Sequence, residues 1–152
     1  IDEFKFRCCI GKKGSAVNKK EGDKKTPKGI FEIENLYFRK DRLERPLTSL
    51  KCIEIKKNMG WCNDIKSEKH YNKLIKTNLN IKHEKLFRTD YKYDFLIPIN
   101  YNTNKPKKNK GSAIFLHLTK NYKSTQGCIA LKKNDFLILL KLINKKTKIK
   151  IC

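Results

Sequence analysis

Ser112-Ala-Ile-Phe-Leu-His-Leu118 and Gly127-Cys-Ile-Ala-Leu131 are the stretches whose reading decides the fold. Each is a short apolar run bounded by glycine or polar residues, the pattern of a buried strand. The polar connection between them carries Asn121, Ser124, Thr125 and Gln126. Outward from this pair, strand signals recur. Phe4 to Ile10 alternates and stops at the turn-forming Gly11 to Ser15, while Glu21 to Gly29 is loop chemistry with Pro27 fixing its own backbone. Ile30 to Phe38 predicts one long strand, and Lys51 to Ile55 a shorter one. Tyr93 to Ile99 is β-branched and aromatic, with a proline that suits a sheet edge, and Asn100 to Lys110 is a polar, lysine-rich loop.

Two helices are expected. Ser67 and Glu68 open a short one that would carry Tyr71, Leu74 and Ile75 on one face. Asn134 suits the N-cap of a strongly apolar one through Phe136, Leu137, Leu140, Leu142 and Ile143, with Lys145 and Lys146 at its end. Lys148 to Cys152 alternates as a closing strand. Many short strands with one strong helix near the C-terminus predict a mainly β fold, a sandwich or closed sheet.

The 152 residues suit one domain with a core of its own, and Trp61, eight Phe and six Tyr are spread along the chain. The formal charge of +22 would attract nucleic acid, an anionic membrane surface or an acidic polymer. Lysine supplies most of it, the arginines being Arg7, Arg39, Arg42, Arg45 and Arg88. Lysine lacks the planar fork that reads bases, which argues against sequence-specific nucleic-acid binding. No apolar run reaches the roughly 20 residues of a membrane helix. The opening Ile1-Asp2-Glu3 is neither a start methionine nor a signal peptide, so the native N-terminus is expected to lie elsewhere. The six cysteines have neither the dense spacing of a disulfide framework nor the C-x-x-C of a zinc site, and adjacent Cys8 and Cys9 would face opposite ways on a strand.

Thr125-Gln-Gly-Cys-Ile129 is the sharpest local feature, because His117 stands a short loop upstream. A thiol attacks carbonyls as thiolate and needs an imidazole to take or balance its proton. Cys128 is the candidate nucleophile and His117 the candidate base. Gly127 allows close approach of a substrate chain, and backbone N–H groups around Gly127 and Cys128 are candidates to hold an oxyanion. His70 and His83 lie in lysine-rich segments and read as solvated.

The chain resembles the L,D-transpeptidases with a YkuD-type catalytic domain, whose signature sets a histidine before a Ser/Thr-x-Gly-Cys turn. His117 and Thr125-x-Gly127-Cys128 fit it. The likeness continues in order through Arg7-Cys8, Glu21-Gly-Asp23, Thr26-Pro27-x-Gly29, Tyr37-Phe-Arg-x-Asp-Arg42, Gly60-Trp-Cys-x-Asp64, Tyr71-Asn72, Glu84-x-Leu-x-Arg88, Tyr93-Asp94, Tyr101-Asn102 and Gly111 to His117. Many members have histidine where this chain has Gln126, and arginine or asparagine where it has Ala130.

The resemblance implies one L,D-transpeptidase-like β-sandwich catalytic domain over residues 1–152, with few short helices. It implies a cysteine acyltransferase acting on peptidoglycan stem peptides, by transpeptidation or carboxypeptidation, without metal or organic cofactor. Gln126 would supply a hydrogen bond at the turn, and Arg7 or Arg88 charge for the substrate's carboxylate. The implied location is the periplasm or cell envelope, where an anionic wall polymer would meet the lysine-rich surface. The competing readings are a basic nucleic-acid-binding module, for which Lys69 to Lys73 and Arg88 to Tyr93 interleave charge and aromatics, and a catalytically silent wall-binding domain.

Overall fold

The computed structural model describes residues 4–152, and the architecture is mainly β, as expected. Its largest element is a six-stranded sheet built from β1 (Cys8–Cys9), β5 (Leu36–Phe38), β6 (Cys52–Glu54), β10 (Phe95–Pro98), β11 (Phe115–Leu118) and β12 (Ile129–Leu131), in the order β1-β12-β11-β10-β5-β6. The two apolar runs of the opening are its neighbours: β11 and β12 pair in parallel, His117 opposite Ala130. Smaller sheets join β2 (Ser15–Ala16) to β3 (Thr26–Pro27), and β4 (Gly29–Glu32) to β13 (Lys148–Ile151). A three-stranded sheet has β7 (Met59–Cys62) between β8 (Leu74–Lys76) and β9 (His83–Lys85).

Strand alternation divides the apolar residues of the large sheet between two cores. On one face Leu36, Phe38, Phe95, Ile97, Leu116, Leu118, Ile129 and Leu131 pack with Phe136 and Leu140 of α1 (Lys133–Leu142), and the Phe95 and Phe136 rings stack 5.8 Å apart. On the other, Tyr37, Leu96, Phe115 and Cys128 meet Trp61, Leu86 and Tyr93, with Trp61 edge-on to Phe115 at 5.2 Å. The helix therefore seals one face and leaves the other for the site.

Several elements differ from expectation. Ile30 to Phe38 is broken between two sheets: β4 alternates in exposure and pairs with β13, whereas β5 is wholly buried in the large sheet. The crossing is pinned at Ile33, which bridges Ile99, and at Glu34, whose N–H donates to the Pro98 carbonyl at 2.9 Å. Pro98 occupies no edge strand, because β10 lies inside the sheet; the proline stands at its last position, and the ladder continues through Ile99 N–H to Ile114. Only Cys8 and Cys9 of the first predicted strand pair as β1, with Cys8 exposed and Cys9 buried.

No helix forms from Ser67. The chain makes one turn, closed by Tyr71 N–H to the Ser67 carbonyl, and Asn72 then takes a left-handed φ of 57°. Leu74 and Ile75 fall on opposite faces of β8, 40% and 6% exposed, a strand alternation rather than a helical stripe. The C-terminal helix begins at Lys133 after Lys132, so Asn134 lies within its first turn and caps nothing, and Lys145 and Lys146 fall beyond its end.

Candidate active site

The parallel register places Cys128, just before β12, opposite Phe115, and the Phe115 N–H points at the Cys128 sulfur at 3.4 Å. His117 is two residues along β11 on the same face, so imidazole and thiol are diagonal neighbours. Both line one cavity of about 820 Å³ with Lys19, Glu21, Glu84, Arg88, Tyr93 and Gly127.

The turn carrying the thiol is held from the far end of the chain. Gly127 has a φ of +142°, and a Cβ there would lie 2.8 Å from the Lys25 carbonyl oxygen, so only glycine fits. Thr26, fully buried, donates its hydroxyl to the Gly127 carbonyl at 2.8 Å and accepts the Gly11 N–H at 2.9 Å. Thr125 closes the turn from within: its hydroxyl donates to the Cys128 carbonyl at 2.6 Å and accepts the Gly127 N–H at 3.1 Å. That N–H is thereby engaged and is not open to an oxyanion.

A second support comes from Asn72, whose side chain makes four hydrogen bonds. Its Oδ1 accepts from Trp61 Nε1 at 2.8 Å and from the Ala113 N–H at 3.0 Å, and its Nδ2 donates to the carbonyls of Tyr101 and Asn102. Ala113 is held at a φ of 54°, and its carbonyl accepts the Cys128 thiol at 3.2 Å.

Burial pushes the Cys128 thiol up to about 12; the Glu84 charge adds to this, and the Phe115 N–H and the Lys19 charge oppose it. Burial likewise pushes His117 down to about 4, against its hydrogen bond to Leu118. His117 Nδ1 lies 2.9 Å from the Leu118 carbonyl, which can only accept. The ring proton therefore sits on Nδ1, and Nε2 presents a lone pair. Tyr93 lies edge-on to His117 at 5.4 Å and donates its hydroxyl to Glu84, whose carboxyl is raised by burial.

Cys128, His117, Gly127, Thr125 and Gln126 line this cavity together, Gln126 with an exposed side chain. The two candidate arginines are not brought together. Arg7 lies over the Tyr122 ring, 4.1 Å from its centre, and is not among the lining residues. Arg88 lines the cavity but is committed to Asp90, with Nε to Oδ1 at 2.9 Å and Nη2 to Oδ2 at 2.6 Å, and this bidentate bond holds Asp90 down to about 2. The loop bearing Arg88 and Tyr93 is clamped by Arg42, which reaches the carbonyls of Arg88, Thr89 and Asp90 and the Asp94 carboxylate. His83, expected in solvent, lines the cavity and packs on Gly60. Sequence reasoning on side-chain chemistry missed Lys19, Asn72 and Glu84; for the last two the signal was present in Tyr71-Asn72 and Glu84-x-Leu-x-Arg88.

A family model described as the L,D-transpeptidase catalytic domain, YkuD, matches residues 2–151, essentially the whole chain. The chain belongs to this family, whose members act on peptidoglycan. Searches of curated proteins and of solved structures found no match. No helix among the described residues is long and apolar enough to cross a membrane.

Proposed function

We propose that this chain is a single catalytic domain in which Cys128 acylates itself on a peptidoglycan stem peptide and His117 moves the protons. The observation that carries this reading is that Cys128 and His117 share one sheet face and one cavity, with Nδ1 tied to Leu118 so that Nε2 is the basic nitrogen.

With thiol and imidazole both neutral at rest, His117 acts as a general base during attack rather than as a standing cation. The Cys128 proton passes to His117 Nε2 as the sulfur–carbon bond forms at the amide between the third-position diamino acid and D-alanine. The same proton then goes to the amine as the carbon–nitrogen bond breaks, and D-alanine leaves. An acceptor amine, or water, next attacks the thioester, gives a proton to His117, and the sulfur departs and recovers it. An amine yields a crosslink and water a shortened stem. Since Thr125 engages the Gly127 amide, the Cys128 amide is the remaining oxyanion donor of that pair. A cell-envelope location follows from the substrate.

Intact mass after incubation with a tetrapeptide stem tests the reading. The expected result is an adduct equal to the stem less D-alanine on wild type and none on Cys128→Ala. An equal adduct on both, or none on the reduced wild type, would overturn it. Oligonucleotide binding that survives Cys128→Ala, with no adduct on wild type, would favour the basic binding module instead.

A further inference from the structure

An acyl donor ending in D-alanine carries its free carboxylate one residue beyond the scissile carbonyl, so with that carbonyl at Cys128 the carboxylate falls within about 5 Å of it. Something in the cavity must receive this charge, because Glu21 and Glu84 line the same walls and repel it. Ala130 brings only a methyl group to the lining. Of the basic side chains there, Arg88 is a third exposed and turned to Asp90, and Lys92 and Lys123 are exposed.

Lys19 differs from these. Its side chain is 3% exposed, and its Nζ donates to Asp23 Oδ1 at 2.7 Å and to the Lys20 carbonyl at 3.3 Å. An ammonium has three donors, so one is left over. Gly111 leaves room for its passage, and Gly127 lies in contact with its end. A Cβ on Gly111, at φ +108°, would stand 2.7 Å from Lys19 Cε, and a Cβ on Gly127, at φ +142°, would stand 3.6 Å from Nζ. The ammonium therefore sits against the residue that precedes the thiol. Asp23 is fastened in turn by the backbone N–H groups of Lys20 and Lys25, so the cation is held at a fixed point in the cavity wall.

We propose that Lys19 Nζ binds the terminal carboxylate of the acyl donor and so sets the scissile carbonyl against Cys128. The assignment rests on the acyl-transfer reading above. A buried charged group with a donor to spare beside the nucleophile is a site for a carboxylate, and it requires the donor peptide to end one residue past the cleaved bond.

The test compares two tetrapeptide stems, one with a free C-terminal carboxylate and one with a C-terminal primary amide, by the rate at which each forms the adduct on wild type, Lys19→Met and Lys19→Arg. Wild type is expected to favour the acid by about ten- to a hundredfold, the worth of one charge-assisted hydrogen bond. Lys19→Met brings the two stems to within about twofold of each other, and Lys19→Arg restores part of the preference. Each ratio is taken on one preparation, so it does not depend on the folded fraction. A Lys19→Met/Asp23→Asn double variant removes the unpaired carboxylate should the single one fail to fold. Equal rates on wild type, or an undiminished preference in Lys19→Met or in the double variant, overturn the Lys19 assignment while leaving the acyl-transfer reading intact. No adduct from either stem overturns both.

Discussion

The Cys128 thiol donates to the Ala113 carbonyl at 3.2 Å, and Ala113 presents that carbonyl from a left-handed backbone angle of 54°. The thiol is thus parked as a neutral donor in a buried setting, and its reactivity should show it. Alkylation of Cys128 by iodoacetamide, followed on its peptide by mass spectrometry, is expected to rise about tenfold per pH unit from roughly pH 7 to 10 without a plateau. A plateau near neutrality would mean that a thiolate–imidazolium pair already exists at rest.

His117 makes the fold sensitive to mild acid. The unfolded imidazole takes up its proton near 6.5, the folded one only near 4. Between those values the unfolded state binds more protons, so the stabilisation is complete above pH 6.5 and is lost as pH falls through 4. The loss amounts to roughly 3 kcal/mol. Urea denaturation at steps across this window should show the slope, and His117→Gln should flatten it. Asp90, held down by Arg88, loses its contribution only at lower pH.

Gly127→Ala should cost about 2–4 kcal/mol, because the new Cβ meets the Lys25 carbonyl and the backbone angle becomes strained. Thermal melting measures the cost. Adduct formation on the fraction that still folds is expected to fall as well, since relief of the clash must move the turn that carries Cys128.

Asn72→Ala strands the Trp61 indole N–H and the Ala113 N–H in a buried site, and about 2–4 kcal/mol of stability should be lost. Trp61 is the chain's single tryptophan, so its fluorescence reports directly on the loss of that hydrogen bond. Should emission and denaturation midpoint both stay at wild-type values, Asn72 does not hold Trp61 and Ala113 in place.

Much of the fold was legible because buried strands announce themselves. The runs ending at Leu118 and Leu131 became β11 and β12, and the apolar stripe through Phe136 and Leu140 became α1. What failed were local rules overruled by tertiary pairing. Leu74 and Ile75 satisfy a helical spacing, yet the left-handed Asn72 breaks the turn and β7 recruits them as a strand. Ile30 to Phe38 reads as one strand because its propensity is continuous, while the switch at Glu34 depends on a carbonyl of distant Pro98. At the site, Cys128 and His117 were visible as a thiol and an imidazole at suggestive spacing. Lys19 was not, since nothing in a lysine-rich sequence marks which lysine, among the described residues, has a buried side chain.

The hydroxyl of Thr26 reaches the Gly127 carbonyl across 101 positions of sequence. A loop that long must close before the thiol has its geometry, so the nucleophile comes into being only once distant parts of the chain have met, a non-local closure of the kind that slows β topologies. Until then Cys128 is an ordinary accessible thiol with near-normal acidity, open to oxidation and to mispairing with the other cysteines. The same contact that aims the sulfur also ends the period in which it is chemically at risk.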